Sequence, residues 1–161
     1  MSASDEGANQ ASSVVRTVFR WVLAGVLLYA GLAHLTSSRT EFQAQVPDWV
    51  PLGADAVVIL SGLVELALGA SLLVLRRHRA LVGWVVAAFF VAIFPGNISQ
   101  FVDGDAAFGL DSDLARGVRL AFQPVLVVWA LWCTGAWAAR LSGPGGCLRG
   151  RATRGGGRGG R

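Results

Sequence analysis

Four stretches of this chain are apolar around the whole circumference of a helix: Val14 to Leu35, Ala56 to Leu75, Ala80 to Val102 and Val118 to Leu141. A helix rises about 1.5 Å per residue, so crossing a hydrocarbon core takes about 20 mostly apolar residues, and each stretch supplies them. Alanine, leucine, valine and glycine dominate, and no polar stripe marks a water-facing side as it would on a soluble amphipathic helix. The pattern predicts an all-α fold, an integral membrane four-helix bundle over residues 14–141. A disordered N-terminal segment, residues 1–13, and a disordered Gly/Arg-rich tail, residues 142–161, are expected to flank it. The run Ser142-Gly143-Pro144-Gly145-Gly146 ends the last helix. The apolar part of the first stretch is long for a signal peptide and no Ala-x-Ala site follows it, so it is expected to be retained.

Between the first two stretches, Phe42, Val46, Trp49 and Val50 recur at helical spacing ahead of Pro51. That spacing predicts a short interfacial helix across the mouth of the bundle. Pro47 inside the run leaves an irregular loop anchored by Trp49 as an equal alternative.

Composition sharpens the membrane reading. The chain is 53% hydrophobic and 15% charged, against about a quarter charged in soluble domains, which argues against an ordinary soluble enzyme. All fourteen basic residues are arginine. Arg16, Arg20, Arg76, Arg77, Arg79 and the tail arginines fall on one side of the expected topology. Glu41, Asp48, Asp55, Asp103, Asp105, Asp111 and Asp113 fall in the two loops on the other side, with only Arg39, Arg116 and Arg119 among the arginines. By the positive-inside rule both termini are cytoplasmic, in a multi-pass protein of the bacterial inner membrane, with Trp21, Trp84 and Trp137 at the cytoplasmic boundary. The tail has no aromatic residue after Trp137 to stack on bases, so nucleic acid is not an expected partner. Cys133 and Cys147 form no Cys-x-x-Cys pair, which argues against dithiol chemistry.

The polar residues at membrane depth carry the candidate chemistry. A charge near the bilayer centre costs about 2.5–3.5 kcal/mol on insertion scales, so it must be paired, neutral or turned toward a wet cavity. Glu65 lies halfway along the second stretch and shares a face with Ser61, Gly62 and Gly69, so it is expected to point into the bundle. His34, Asn97, Gln100, Arg119 and Gln123 all fall in the outer half. His34, Glu65, Asn97, Arg119 and Gln123 are therefore the candidates for ligand binding or proton handling. Glu65 and Arg119 are expected to pair, either as a scaffold contact or as part of a site. Pro95 and Pro124 withdraw the donors that the Val91 and Leu120 carbonyls would receive, which either opens a pocket or only shapes packing. No dense His or Cys spacing suggests a metal.

Gly31-Leu32-Ala33-His34, the pair Pro47 and Pro51, Ser61-Gly62-Leu63-Val64-Glu65-Leu66, Phe94-Pro95-Gly96-Asn97-Ile98 and Arg119-Leu120-Ala121-Phe122-Gln123 together resemble the DoxX family of small bacterial membrane proteins, over about residues 14–137. Leu35 stands where that pattern has an aromatic residue, and Pro124 follows Gln123 where the pattern places a proline before it. The resemblance implies a four-helix membrane bundle in which His34, Glu65, Asn97, Arg119 and Gln123 are family positions. It also implies a subunit or accessory of a quinone-linked membrane redox complex, holding a quinone-like ligand in a polar cavity of the outer half. The expected partners are the lipid bilayer, a membrane redox protein and further copies of the chain. The alternatives are a small oligomeric transporter and a structural scaffold. No nucleophile and base pair points to a stand-alone enzyme, so a non-catalytic membrane subunit is expected.

The arginine distribution makes a direct prediction. A reporter that works only outside the cell should be active when fused at Asp105 and silent at Gly150, and the opposite result would reverse the topology.

Overall fold

The computed structural model describes residues 3–43, 45–47, 49–103 and 113–141, and these are helical with no strand among them. α1 runs Ala3–Leu35, α2 Arg39–Gln43, α3 Ala54–Val74, α4 Arg79–Asp103, α5 Asp113–Thr134 and α6 Ala136–Leu141, with a 3₁₀ turn Arg76–His78 between α3 and α4. Three segments are long and apolar enough to cross a membrane: Gln10–Leu35, Ala54–Val74 and Arg76–Val102. In α5 the continuous apolar part is only Leu120–Thr134, because Asp113, Arg116 and Arg119 occupy its first turns. The fourth expected stretch also ends early. Gly135 adopts φ +72° and separates α5 from α6, a left-handed conformation that glycine adopts without steric cost.

The helix boundaries differ from expectation at two other places. α1 continues back to Ala3, over residues assigned above to a disordered segment. No proline interrupts that run. In the first connection, helix covers only the five residues of α2. Phe42 lies in it, while Val46, Trp49 and Val50 lie in turns around Pro47, which breaks the run. The tail 142–161 lies outside the described residues.

α1 packs chiefly on α3 and α4 on α5, and α1–α5 and α3–α4 contacts join the two pairs. Glycine permits the first pairing. A Cβ on Gly31 would stand 2.7 Å from the Gly62 carbonyl, and one on Gly62 would stand 2.8 Å from His34 Cβ. A Cβ on Gly69 would meet Leu28 and the Ala24 carbonyl. The backbones touch here, as the small-residue stripe anticipated.

The packed interior is uneven along the helices. Leu23, Ala24 and Leu27 of α1, Leu68 and Leu72 of α3, Val82, Val86 and Phe90 of α4, and Ala130 and Cys133 of α5 form one buried apolar cluster. It fills the end of the molecule nearer the Arg76–Arg79 turn. At the same end, Thr134 is buried with its hydroxyl bonded to the Ala130 carbonyl at 2.7 Å, and its side chain occupies the space a Cβ on Gly83 would need. Toward the other end, the buried residues become polar. Outward-facing side chains such as Val22, Leu60, Leu63, Val85, Val91 and Val125 are exposed and apolar, as expected of surfaces that meet lipid.

The glycine contact can be tested by adding a methyl group. Gly31→Ala should lower stability in detergent by about 1–3 kcal/mol, because only backbone and a packed leucine surround the new atom. Gly25→Ala, with nothing within 4 Å of the new Cβ, should raise stability by up to about 1 kcal/mol through helix propensity. Equal effects from both in a denaturant titration would show that the close approach is not energetically important.

Candidate functional site

α1 and α3 run antiparallel, so His34 of α1 and Glu65 of α3 stand one turn to either side of the Gly31–Gly62 contact. Both are buried, Glu65 with only 5% of its surface exposed. His34 Nδ1 lies 2.8 Å from the Ala30 carbonyl and 3.0 Å from Glu65 Oε2. A carbonyl can only accept, so Nδ1 carries the proton and donates it along the helix to Ala30. One N–H cannot serve two acceptors well, and Glu65 Oε2 is left buried without a hydrogen bond. The carboxylate and the imidazole are in electrostatic contact, and a carboxylate lone pair remains unsatisfied.

The other pair of helices contributes a complete polar chain. Asn97 Nδ2 on α4 donates to Gln123 Oε1 on α5 at 2.9 Å, and Gln123 Nε2 donates back to the Phe90 carbonyl of α4 at 2.7 Å. Sequence reasoning pointed to Val91 as the carbonyl released by Pro95. The carbonyl captured is its neighbour, because Val91 sits on the outward face, 59% exposed, whereas Phe90 is buried, 4% exposed, toward α5. Both α4 and α5 continue through their prolines as helix.

His34, Glu65, Asn97 and Gln123 all line one cavity of about 650 Å³, within the range of sites for small organic ligands. Its remaining wall is apolar and includes Val26, Val58, Phe90, Ile93, Phe122 and Leu126. Four of the five candidate residues thus meet in one space. The Arg119 side chain lies outside the described residues, and with it the expected Glu65–Arg119 pair. The observed neighbour of Glu65 is His34.

The connection 39–50 completes the cavity. Phe42, Val46, Pro47, Trp49 and Val50 all line it, so the apolar residues at helical spacing reach a common wall although most are not in a helix. Phe42 stacks on the His34 ring, with centroids 3.5 Å apart and planes at 16°. α2 is held to the start of α3 by Asp55, which accepts from Arg39 Nε at 2.6 Å and from Gln43 Nε2 at 2.8 Å. Farther along, the Gln45 carbonyl lies where a Cβ on Gly96 would come within 2.9 Å of it. Gly96 therefore serves as the seat of the connection as well as a neighbour of the Pro95 bend. Sequence reasoning counted Arg39 and Asp55 only as loop charges. The opposite charges flanking one loop, with Arg39 and Gln43 four apart, were the available signal for this latch.

Residues 23–134 match a family described as a domain of unknown function (DUF8561), and the chain belongs to that family. No curated protein and no solved structure matches the chain. The resemblance to the DoxX family is thereby corrected, and the implied membership of a quinone-linked redox complex loses its basis. The fragments that suggested it combine small residues, a proline and one or two polar side chains. Close-packed helices around a polar interior need those residues whatever their ancestry.

The Asn97–Gln123–Phe90 chain predicts coupled losses. Gln123→Leu should destabilise by about 1–3 kcal/mol, because it leaves buried groups unpaired on α4. Asn97→Leu combined with Gln123→Leu should cost less than the sum of the single changes. Strictly additive losses in a double-mutant cycle would exclude the interaction.

Proposed function

We propose that this protein is an integral membrane protein of the cytoplasmic membrane, with α1, α3, α4 and α5 forming a four-helix transmembrane bundle and both chain ends on the cytoplasmic side. The arginine and acid distribution supports this orientation, since Arg76, Arg77 and Arg79 fall at one end and Glu41, Asp48 and Asp55 at the other. In this arrangement the cavity lies in the outer half, under the 39–50 connection.

Its function in this reading is to bind one small, largely apolar molecule that carries a hydroxyl or ammonium donor. The observation that carries the reading is Glu65 Oε2, buried beside the cavity without a hydrogen bond. An unsatisfied buried carboxylate oxygen is costly, and a donor from a bound molecule would relieve that cost. The amides of Asn97 and Gln123 are already engaged with each other and with Phe90. Specificity would therefore centre on Glu65, with His34 fixing the carboxylate electrostatically and the apolar wall taking the rest of the molecule.

The test is extraction in mild detergent followed by native mass spectrometry of the full chain. A retained molecule other than phospholipid is expected. Glu65→Gln should lower its retention about tenfold, the loss of one hydrogen bond to a charged acceptor, while the melting temperature stays within a few degrees. Unchanged retention in that variant would remove Glu65 from recognition, and a chain that retains nothing in any lipid background would overturn the binding function.

A further inference from the structure

The opposite end of the packed helices poses a separate electrostatic problem. Arg20 on α1 is buried, with 5% of its surface exposed, and its Nε has no hydrogen-bond partner. Arg76 and Arg79, from the turn after α3, lie close enough to repel it, and the neutral thiol side of Cys133 on α5 is its other near neighbour. Among the described residues the carboxylate contacts are His34–Glu65 and Arg39–Asp55, so no described carboxylate answers Arg20. Asp55 and Glu65 are taken up at the cavity end, and Glu6, the acid nearest to Arg20 in sequence along α1, is about 21 Å away at about 1.5 Å per residue. A guanidinium does not lose its proton to escape burial, so it needs an anion.

One turn earlier on the same face of α1, Arg16 Nε is also a buried donor without an acceptor. Arg16 lines an apolar slot of about 360 Å³ whose other walls include Val128, Leu131, Trp132, Gly135 and Trp137. Trp129 Nε1, on the same α1–α5 seam where Phe19 packs against Trp129 and Trp132, is a third buried donor without an acceptor. The unsatisfied groups here are all donors, and two of them are cationic. Beside them is an apolar groove with indole rings at the edge of the lipid-facing surface.

We propose that this end of the protein binds an acidic phospholipid, with Arg16 and Arg20 holding the headgroup phosphate and the α1–α5–α6 slot taking an acyl chain. Guanidinium groups match phosphate oxygens in bidentate geometry. The like-charged Arg76 and Arg79 then add to the attraction for the anion instead of only repelling Arg20. The apolar slot selects a lipid over free phosphate, and the excess of positive charge selects an acidic lipid over a zwitterionic one.

Purified full-length protein in a neutral detergent would be titrated separately with phosphatidylglycerol, phosphatidylcholine and inorganic phosphate. Native mass spectrometry would count bound lipid and thermal unfolding would report stabilisation. Phosphatidylglycerol should bind at least about tenfold more tightly than phosphatidylcholine and raise the melting temperature, and inorganic phosphate should do neither at equal concentration. Arg16→Gln should weaken phosphatidylglycerol binding about tenfold. Arg20→Met, which removes the buried charge but keeps apolar volume, should fold in detergent and lose the preference for the acidic lipid. Equal stabilisation by inorganic phosphate would overturn the lipid assignment. An unchanged acidic-lipid preference in both variants would overturn the site.

Discussion

The backbone contact between Gly31 and Gly62 governs the rest of the structure. It sets the separation and register of α1 and α3 at one point, and in these antiparallel helices His34 and Glu65 stand one turn to either side of it. The imidazole turns back along α1 toward the Ala30 carbonyl, and there it lies 3.0 Å from the Glu65 carboxylate. Each glycine weakens its own helix by about 1 kcal/mol relative to alanine. Close backbone packing offsets that cost, and through it the chain can hold an ionisable pair where neither member faces lipid.

The two ends of the helices divide the work of stability and recognition. Large aliphatic side chains from α1, α3, α4 and α5 interlock near the arginine turn, while at the other end smaller and polar residues leave a cavity. Fully satisfied polar chains, such as Asn97 to Gln123 to Phe90, stiffen one wall of that cavity. The opposite wall carries the unsatisfied Glu65 oxygen. Its cover is a connection held by a surface ion pair, a stacked phenyl ring and a glycine seat. Water screens an exposed ion pair, so the cover rests chiefly on the stacked ring and the glycine seat.

Much of this was legible in the sequence. Glu65 faces inward as expected because Gly62 and Gly69, three and four residues away, announce a close helix neighbour. The polar residues meet because the chain reverses at each connection, so depth alone brings His34, Asn97 and Gln123 together with Glu65. Which residue touches which was not legible. Pairing depends on helix rotation and axial offset, which residue spacing does not carry, so nothing in the sequence marks His34 as the neighbour of Glu65. Helix ends were similarly hidden: the Gly135 break looks in sequence like one more small residue in an apolar run, and Ala3 to Ser13 lacks the apolar pattern that marks the rest of α1. Family membership was the least accessible of all, because short motifs built from packing residues do not distinguish one lineage of membrane helices from another.

The seating of Thr134 against Gly83 has a mechanical consequence. Immediately before the flexible-backbone position Gly135, the end of α5 is pinned to α4 by a side chain buried in a socket that admits no Cβ. On the far side of the glycine, Ala136 is buried as well and packs with Ala87 of α4 and Leu131 of α5. Thr134 and Ala136 therefore clasp α4 on both sides of Gly135, which fixes the axial position of α5 and with it the height at which Gln123 stands opposite Asn97.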